Sequence, residues 1–431
     1  MKSIRKKITG AMLIAFTAIA FLTSCNKDVE QFANIPLPPV TTAKTIGDSI
    51  NSIPRDTLFY KILQKGGLLP LINNRLNNFT IYVPDSTAVK QFISAATGGA
   101  VPVTASNAVV SAFILGTFPA ASAAAIGSYA IVPQAFPTTA IPAVFPNFPL
   151  PTLLNPAPTL SAFLRLDVYP SVLNGNYVNN IPVVNPNIVT GNGIIHETVA
   201  VLSPPQRAVW ERINTDADLT IFRALILRAD SGTAMPAPNT TPTNLVSLMS
   251  SIGANLTVFT PTNAAMKAFI SAATGGLIPV GAPDGVFIVF LGGPGVTTQL
   301  ARGLVVYHIF DDRSTTMSTS VISKRPGRAF TVNFPTLSMD FKTLLSSADN
   351  VGFTLPSVTL KATFTGLFVS SATVKGIANP TPSNLLLNPT PDGRPSYGAT
   401  PPALPLVYPG TSDQLYTNAI LHKIDQLLRP Q

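Results

Sequence analysis

A long internal repeat constrains this chain more than any other feature. Residues 79 to 103 recur without a gap as residues 256 to 280, an offset of 177 positions (256 − 79). The two segments share 14 of their 25 residues. A spacing this long exceeds the repeat length of solenoid and propeller proteins, whose units stack on one another. The sequence therefore predicts two copies of one domain.

Both copies carry the same order of local signals. β-Branched and aromatic residues predict a strand that ends at Pro84 in the first copy and at Pro261 in the second, because proline lacks the N–H that strand pairing needs. Apolar residues at helical spacing follow, and the glycine pairs 98–99 and 275–276 are typical of a helix end. The helix N-cap candidates are Asp85, Ser86, Thr262 and Asn263.

The first 24 residues are predicted to be a lipoprotein signal peptide. Four basic residues precede an apolar stretch, residues 8 to 22, that is shorter than a typical membrane-spanning helix. Residues 22 to 25 resemble a bacterial lipobox, which implies cleavage before Cys25 and lipidation of its thiol. The alternative is an ordinary secretory signal that happens to contain a cysteine.

The residues that follow Cys25 favour the outer membrane and the cell surface. Asn26 stands where many inner-membrane lipoproteins have Asp, and the Lys27-Asp28 start resembles surface-export signals. Residues 25 to 45 contain several prolines and are predicted to be an extended tether. Acyl chains on Cys25 would anchor an otherwise soluble protein to the membrane.

The composition indicates an exported binding protein. Charged residues make up 11% of the chain, against about a quarter in ordinary globular proteins. Removing the four basic residues of the signal lowers the formal charge from +9 to +5, and the remaining Lys and Arg are scattered, which argues against nucleic acid. Cys25 is the only cysteine, which excludes disulfides and a catalytic thiol elsewhere.

Each copy ends with a second shared motif. Residues 192 to 204 and residues 418 to 430 both run from Asn to Pro and predict a closing strand with one histidine, His196 or His422, which we expect to be structural. The proline pair 204–205 marks the boundary between the copies. The predicted domains are residues 46–205 and 206–431.

Proline-rich insertions interrupt this pattern. No charged residue or histidine occurs from residue 91 to residue 164, and residues 131 to 160 contain eight prolines, which excludes a continuous helix or a central strand. Such a loop either folds over its domain or exposes an apolar patch to a partner. Residues 235 to 243 and 379 to 409 are further insertions in the second copy.

Together these features resemble the fasciclin domain family, in tandem. The family's opening signature, Thr-Val-Phe-x-Pro-Thr-Asn-x-Ala, is similar to residues 257–265 and more loosely to residues 80–88, and the two closing motifs are similar to its second signature. The family's Tyr-His pair matches Tyr307 and His308, and we place Leu115-Gly116 there in the first copy. The resemblance covers residues 46–431 apart from the insertions.

The resemblance implies an α+β fold: two domains, each a wedge of β-strands with helices packed on one side. It also implies adhesion or contact with extracellular matrix or glycans. Tyr307 and His308 are the candidate adhesion residues, and a packed structural pair is the alternative. The first copy would then be a spacer and the second the adhesive copy, and replacing both side chains by alanine would leave the melting temperature largely unchanged.

The sequence does not predict an enzyme, a cofactor or a metal site. Three histidines spread over two domains form no recognisable triad or metal motif, and no phosphate-binding loop or nucleophile elbow occurs. Two functions remain: an adhesion or matrix-interaction protein, and an accessory glycan-binding lipoprotein of an outer-membrane uptake system. Sugar sites need exposed aromatic platforms, and a single Trp with nine Tyr favours adhesion.

Overall fold

A computed structural model describes residues 43–234, 243–310, 327–346, 357–387 and 411–431. The predicted signal peptide, Cys25, most of the tether, and much of the later insertions lie outside the described residues. The two copies of the repeat are called the first half and the second half below, divided at the proline pair 204–205.

The first half alternates short helices with a mixed sheet. Its helices are α1 (Ile46–Ser52), α2 (Thr57–Lys65), α3 (Leu69–Ile72), α4 (Ser86–Ala96), α5 (Asn107–Gly116) and α6 (Ala120–Tyr129). Its strands are β1 (Phe79–Pro84), β2 (Ile131–Val132), β3 (Leu150–Pro151), β4 (Asp167–Val168), β5 (Pro170–Ser171), β6 (Tyr177–Val178), β7 (Ile181–Thr190) and β8 (Gly193–Thr198). A 3₁₀ turn, Pro54–Asp56, joins α1 to α2.

The second half repeats this order and adds a second sheet. Its helices are α7 (Val209–Thr215), α8 (Thr220–Ala229), α9 (Leu245–Ser250), α10 (Asn263–Ala273), α11 (Asp284–Gly292) and α12 (Thr298–Tyr307). Its strands are β9 (Leu256–Pro261), β10 (Ile309–Phe310), β11 (Met339–Phe341), β12 (Val358–Thr365), β13 (Phe368–Gly376), β14 (Ser383–Asn384), β15 (Gln414–Leu415) and β16 (Ala419–Ile424). The 3₁₀ turn Ala217–Leu219 joins α7 to α8.

The predicted strand, turn and capped helix are confirmed in both halves. β1 ends at Pro84, and the side chain of Asp85 accepts a hydrogen bond from the N–H of Ala88 to cap α4. Thr262 caps α10 in the same way, so the first of the two N-cap candidates is used in each copy. The glycines after both helices have positive φ, +62° at Gly98, a conformation that most other residues adopt only under strain.

Each half is organised around one pair of parallel strands. β1 lies parallel to the closing strand β8, and β9 lies parallel to β16 in the same register, so that Tyr82 faces His196 and Phe259 faces His422. A short antiparallel strand, β2 or β10, borders the opening strand on its other side. With helices and mixed sheets in both halves, the chain has an α+β fold.

A buried asparagine ties the closing motif to the helices. The Asn192 side chain accepts a hydrogen bond from the N–H of Ile46 at 2.8 Å, and its amide donates to the carbonyl oxygens of Ile72 and Asn74. Asn418 makes the same three kinds of bond in the second half, to Val209, Met249 and Ser251. One side chain thus holds the start of α1 or α7, the end of α3 or α9, and the closing strand.

Each half has its own apolar core between its helices and its parallel strands. In the first half this core joins α1, α2, α4 and α5 to β1 and β8. In the second half it joins α7, α8, α10, α11 and α12 to β9 and β16. A third cluster packs β12 and β13 against Phe259 and Tyr307. The domain boundary near residue 205 stays a prediction, because the halves also share a buried interface.

The proline-rich loop of the first half packs against the second half. The ring of Phe145 lies 5.9 Å from the ring of Phe334 and 4.3 Å from that of Phe341. The side chain of the fully buried Asn147 accepts a hydrogen bond from the N–H of Phe330 at 3.0 Å. Of the two predicted alternatives, the loop therefore folds over protein, and it covers the neighbouring half as well as its own.

A buried arginine completes this interface. The Arg328 guanidinium donates hydrogen bonds to the carbonyl oxygens of Tyr416 and Thr417 and lies 5.2 Å from the centre of the Tyr169 ring. The hydroxyl of Tyr177 donates to the carbonyl oxygen of Leu367 at 2.8 Å. The two hydrogen bonds hold Arg328 within the second half, whereas its contact with the Tyr169 ring and the bond from Tyr177 to Leu367 join the two halves.

We expect Asn192→Ala and Asn418→Ala each to lower the free energy of unfolding by about 2 to 5 kcal/mol, because each removes one buried side chain and leaves an N–H and two carbonyl groups unpaired. Chemical denaturation followed by circular dichroism measures the loss. Asn78→Ala and Asn214→Ala are the matched controls on exposed positions, with an expected change within about 0.5 kcal/mol. Equal effects at buried and exposed asparagines would contradict this role.

Candidate functional site

The predicted adhesion pair lies inside the second half. Tyr307 is the last residue of α12, and both Tyr307 and His308 are fully buried. The Tyr307 hydroxyl donates to the carbonyl oxygen of Ser357 at 2.6 Å and accepts from the N–H of Ile377 at 3.0 Å. A partner at the surface has no access to this side chain, although an adhesive role of the pair stays an untested prediction.

His308 is a neutral structural residue. Its Nδ1 lies 2.7 Å from the carbonyl oxygen of Leu304, and its Nε2 accepts a hydrogen bond from the N–H of Leu428 at 2.9 Å. Since the carbonyl needs a donor and the N–H needs an acceptor, the proton is on Nδ1. Burial lowers the pKa of His308 to about 4, so the ring is uncharged at neutral pH.

The counterpart of this pair in the first half is Tyr129-Ala130, and the placement at Leu115-Gly116 was wrong. The N–H of Tyr82 donates to the carbonyl oxygen of Ala130, as the N–H of Phe259 does to that of His308. Tyr129 ends α6 and is fully buried, as Tyr307 is at the end of α12. The tyrosine is therefore shared by both halves, whereas the first half has Ala130 where the second has His308.

The closing-strand histidines are buried at matching positions. His196 Nδ1 accepts from the N–H of Asn187, and its Nε2 donates to the carbonyl oxygen of Phe136 at 2.9 Å. His422 makes the same two kinds of bond, to Asp413 and Ala329. Burial lowers the pKa of both rings, and each stacks on the aromatic residue across the parallel strand pair. These contacts account for a structural role, as expected.

The surface feature that both halves share is an apolar helix side. On α5 the exposed residues Val109, Ala112 and Leu115 form what we call the first apolar face. On α11, Val286 and Val289 form the second apolar face, at positions that match Val109 and Ala112 in the ungapped repeat alignment. Val289 is 76% exposed, which is unusual for a valine in a helix.

The turns before these helices extend the apolar surface. Val103 precedes α5 and is 44% exposed, and its counterpart Val280 precedes α11 and is 52% exposed. Leu277, in the same turn, is 87% exposed. The first face lies in the segment without charges, and the second has one charged neighbour, Asp284, whose carboxylate is 2.5 Å from the ammonium of Lys267.

Buried faces and matching caps hold the two helices in place. Val110 and Ile114 of α5 point into the first core, and Phe287 and Leu291 of α11 point into the second. The Lys65 ammonium donates to the carbonyl oxygens at the end of α5. In the second half, arginine bonds to Val296 and Gly293 do the same after α11, from Arg228, the counterpart of Lys65.

Sequence reasoning did not select these faces, although a signal was present. α5 and α11 are apolar around their whole circumference, so spacing alone could not separate a buried side from an exposed one. Val109 and Ala112 are repeated as Val286 and Val289, and both helices are more apolar than ordinary surface helices. This repetition was the signal. The structure supplies the missing information, which is the direction of the core.

A small recess lies beside the parallel strand pair of the first half. A recess lined in part by Tyr82, Thr138, Tyr177 and His196 has room for about one water molecule. Within the described ranges, no group of three or more His, Cys, Asp or Glu residues could hold a metal ion. In the same ranges no single helix is long and apolar enough to cross a membrane, and α5 with α6 passes that test only as a pair bent by 109°.

Comparisons with known proteins give likenesses to solved structures and no other match. No family model matches the chain, and no curated protein matches it. Among the solved structures that do match is a FAS1 domain pair from the insect cell adhesion molecule fasciclin I. The match is 11% identical in sequence, covers 86% of this chain and 95% of that chain, and has a TM-score of 0.31.

The burial of Tyr307 and His308 reverses the expected effect of replacing them. We now expect the Tyr307→Ala, His308→Ala double variant to lose more than about 4 kcal/mol of unfolding free energy, because it empties a buried ring site and orphans several backbone groups. Tyr307→Phe keeps the ring and should lose about 1 to 3 kcal/mol. Chemical denaturation of both variants decides the matter, and a double variant as stable as the wild type would show that the pair is not packed.

Proposed function

We propose that this protein is a lipid-anchored, non-catalytic cell-surface protein that attaches to an extracellular protein through its two apolar faces. The observation that carries the proposal is the recurrence of an exposed apolar helix side at matching positions of both halves. An exposed apolar patch of this kind is typical of an interaction surface, because burying it in a contact is favourable.

The chemistry of the two faces favours a protein partner over a glycan. Sugar rings are held by exposed aromatic side chains, and within the described residues Phe163 is the one aromatic side chain that is exposed. Aliphatic residues cover both faces, and the charged groups beside them, Lys65 and the Asp284–Lys267 pair, are already bonded within the protein. An aliphatic, uncharged surface matches the apolar centre of a protein interface.

The duplication fits attachment better than tight single-site binding. Two faces on one chain can engage repeated sites on an extended matrix protein, and the second contact then forms at a high effective concentration. The buried interface around Asn147 and Arg328 fixes the geometry of the two halves, so the second contact costs little extra ordering. Weak individual faces would thus add up to firm attachment.

We also propose a domain family and a membrane location for the chain. The opening and closing signatures support two tandem fasciclin-like domains, and the lipobox at Cys25 supports an anchor in the outer membrane with the body at the cell surface. Adhesion is the class that joins these features: an exported, anchored chain with duplicated surfaces. If the protein is instead an accessory glycan-binding protein beside an uptake system, the mature chain will bind to a glycan array and not to matrix protein.

The first test replaces both apolar faces at once. The quadruple variant Val109→Gln, Ala112→Gln, Val286→Gln, Val289→Gln should attach cells to a matrix-protein surface at least about tenfold less than the wild type, because binding through both faces is lost. Its melting temperature should change little, since all four side chains are exposed. Flow-cell counting of attached cells is the measurement.

The matched control replaces exposed apolar residues elsewhere. Leu337→Gln with Ile377→Gln removes side chains that are 78% and 63% exposed and lie outside both faces, so attachment should stay at the wild-type level. Equal losses in the test and control variants would point to general surface hydrophobicity. Unchanged attachment of the quadruple variant, or binding of the mature chain to a glycan array alone, would refute the proposal.

A separate test concerns the anchor. Cys25→Ala should leave an unlipidated precursor and move the protein out of the membrane fraction, because the thiol that would carry the acyl chains is gone. Metabolic labelling with a fatty-acid analogue, followed by fractionation, measures both effects, with Cys25→Ser as a second variant. Fatty-acid label on either variant would show that the anchor is attached elsewhere.

A further inference from the structure

A buried carboxyl group in the first half has a second buried carboxyl group as its neighbour. Asp56 closes the 3₁₀ turn between α1 and α2, is fully buried, and receives no donor at either carboxylate oxygen. Glu197 on β8, which is 4% exposed, acts on Asp56 both by charge and by a side-chain hydrogen bond. The Nε and Nη2 atoms of Arg55 both donate hydrogen bonds to the Glu197 carboxylate, with Nη2 at 2.7 Å. Arg55 is therefore bonded to Glu197 and not to Asp56.

The second half shows that the fold does not need this carboxyl. The turn Ala217–Leu219 takes the place of Pro54–Asp56, and its last residue, Leu219, is fully buried in the core. The neighbouring ion pair is present there with its charges exchanged: Lys423 on the closing strand binds Asp218 at 3.1 Å, where the first half pairs Glu197 with Arg55. Asp56 is thus an addition of the first half to a shared frame.

We propose that Asp56 and Glu197 form a proton-sharing carboxyl pair that latches residues 46–65 to β8 and releases them when the shared proton is lost. In the latched state the protonated Asp56 donates its O–H to the Glu197 carboxylate, and the one remaining negative charge is neutralised by Arg55. Loss of the proton puts two negative charges, with one cation, into a buried seam. Repulsion then favours opening of the turn.

The electrostatics of the seam agree with this arrangement. Burial, first, and then the charge of Glu197 raise the pKa of Asp56 to about 7, while Arg55 opposes the shift and Asp85, at the start of α4, adds to it. The other charged residues on α1 and α2 have partners of their own: Asp48 accepts a hydrogen bond from Thr45, Lys61 donates to Gln64, and Lys65 donates to the end of α5. The remaining charged residue of the neighbouring helices is Lys90 on α4.

The sign of the pH effect follows from the raised pKa. Between about pH 4 and pH 7 the folded chain holds a proton that the unfolded chain has lost, so this group's contribution to stability falls as the pH rises and is gone above pH 7. The buried histidines act in the opposite direction, because their lowered pKa makes the fold less stable as the pH falls below about 6.5. A variant at Asp56 separates the two effects.

Hydrogen exchange of the whole chain tests the latch. Between pH 6 and pH 8.5, after correction for intrinsic exchange rates, protection of peptides from residues 46–65 should fall by up to about tenfold as the shared proton is lost. Peptides from residues 209–229, which contain Leu219, are the internal control and should change little. Asp56→Asn keeps the shape and a donor to Glu197, and Asp56→Leu copies the second half, so both variants should abolish the fall.

Three results would overturn the latch. One is equal pH dependence of the two peptide sets in the wild type, and another is a fall that persists in Asp56→Asn and Asp56→Leu. The third does not need the variants to fold: in wild-type protein labelled with ¹³C at aspartate carboxyl groups, the Asp56 resonance should titrate near pH 7. Titration near the ordinary pKa of 3.8 would mean that no proton is shared.

Discussion

The buried amide of the closing motif is the contact on which each half depends. Asn192 lies about 150 residues along the chain from the helix start that it binds, and its other two bonds reach the end of α3. A parallel pair such as β1 and β8 cannot be closed by a tight turn, so the two strands must be brought together by contacts distant in sequence. The asparagine supplies such contacts at the point where helix, loop and strand meet. That Asn418 repeats all three bonds in the second half identifies the asparagine as part of the frame and not of a binding surface.

Other polar groups fix how the two halves meet. Apolar contacts such as that of Phe145 with Phe341 favour association but are tolerant of small shifts, whereas a buried amide or guanidinium is satisfied in few arrangements. Asn147 and Arg328 are both buried at this interface. The Asn147 side chain accepts from the N–H of Phe330, the Asn147 N–H donates to the carbonyl oxygen of Arg328, and the Arg328 guanidinium lies over the Tyr169 ring of the first half. The proline-rich loop that carries Asn147 therefore connects the two halves structurally. This role is enough to explain why the loop has no charged residues, and no external partner needs to be invoked. Its apolar residues mostly face protein, and the exposed apolar surface shared by both halves is on α5 and α11, where we propose that a partner binds.

Local structure could be predicted from this sequence because its signals are local. A proline that ends a strand, a side chain that caps a helix and a glycine pair with positive φ all act within a few residues. Accordingly, Pro84 ends β1, Asp85 caps α4, and Gly98 has a positive φ after that helix. The closing strands were predicted from the second motif that both copies share, and the α+β fold was implied by the resemblance to a known family. The candidate site could not be read in this way, because exposure depends on what packs where. Tyr307 and His308 have ordinary sequence neighbours, and elements distant in sequence help to bury them: Phe222 on α8, the β12–β13 sheet and Leu428.

The misplaced counterpart of the Tyr-His pair shows the same limit from another side. Residues 79–103 share most of their identities with their copy. Past α5 the two halves keep the same structure but lose most residue identities, so sequence identity placed the counterpart too early, at Leu115. Backbone pairing settles the match, since the strand after α6 and the strand after α12 border their opening strands in the same register. The same pairing aligns positions whose chemistry has diverged. Where the second half has Leu219 and a Lys423–Asp218 pair, the first has Asp56 and an Arg55–Glu197 pair, and the frame accommodates both. The charged seam beside the closing strand thus differs between the halves, whereas the apolar faces on α5 and α11 are kept. A surface shared by both halves is what the proposed attachment needs, and a seam that differs is what confines the proposed latch to the first half.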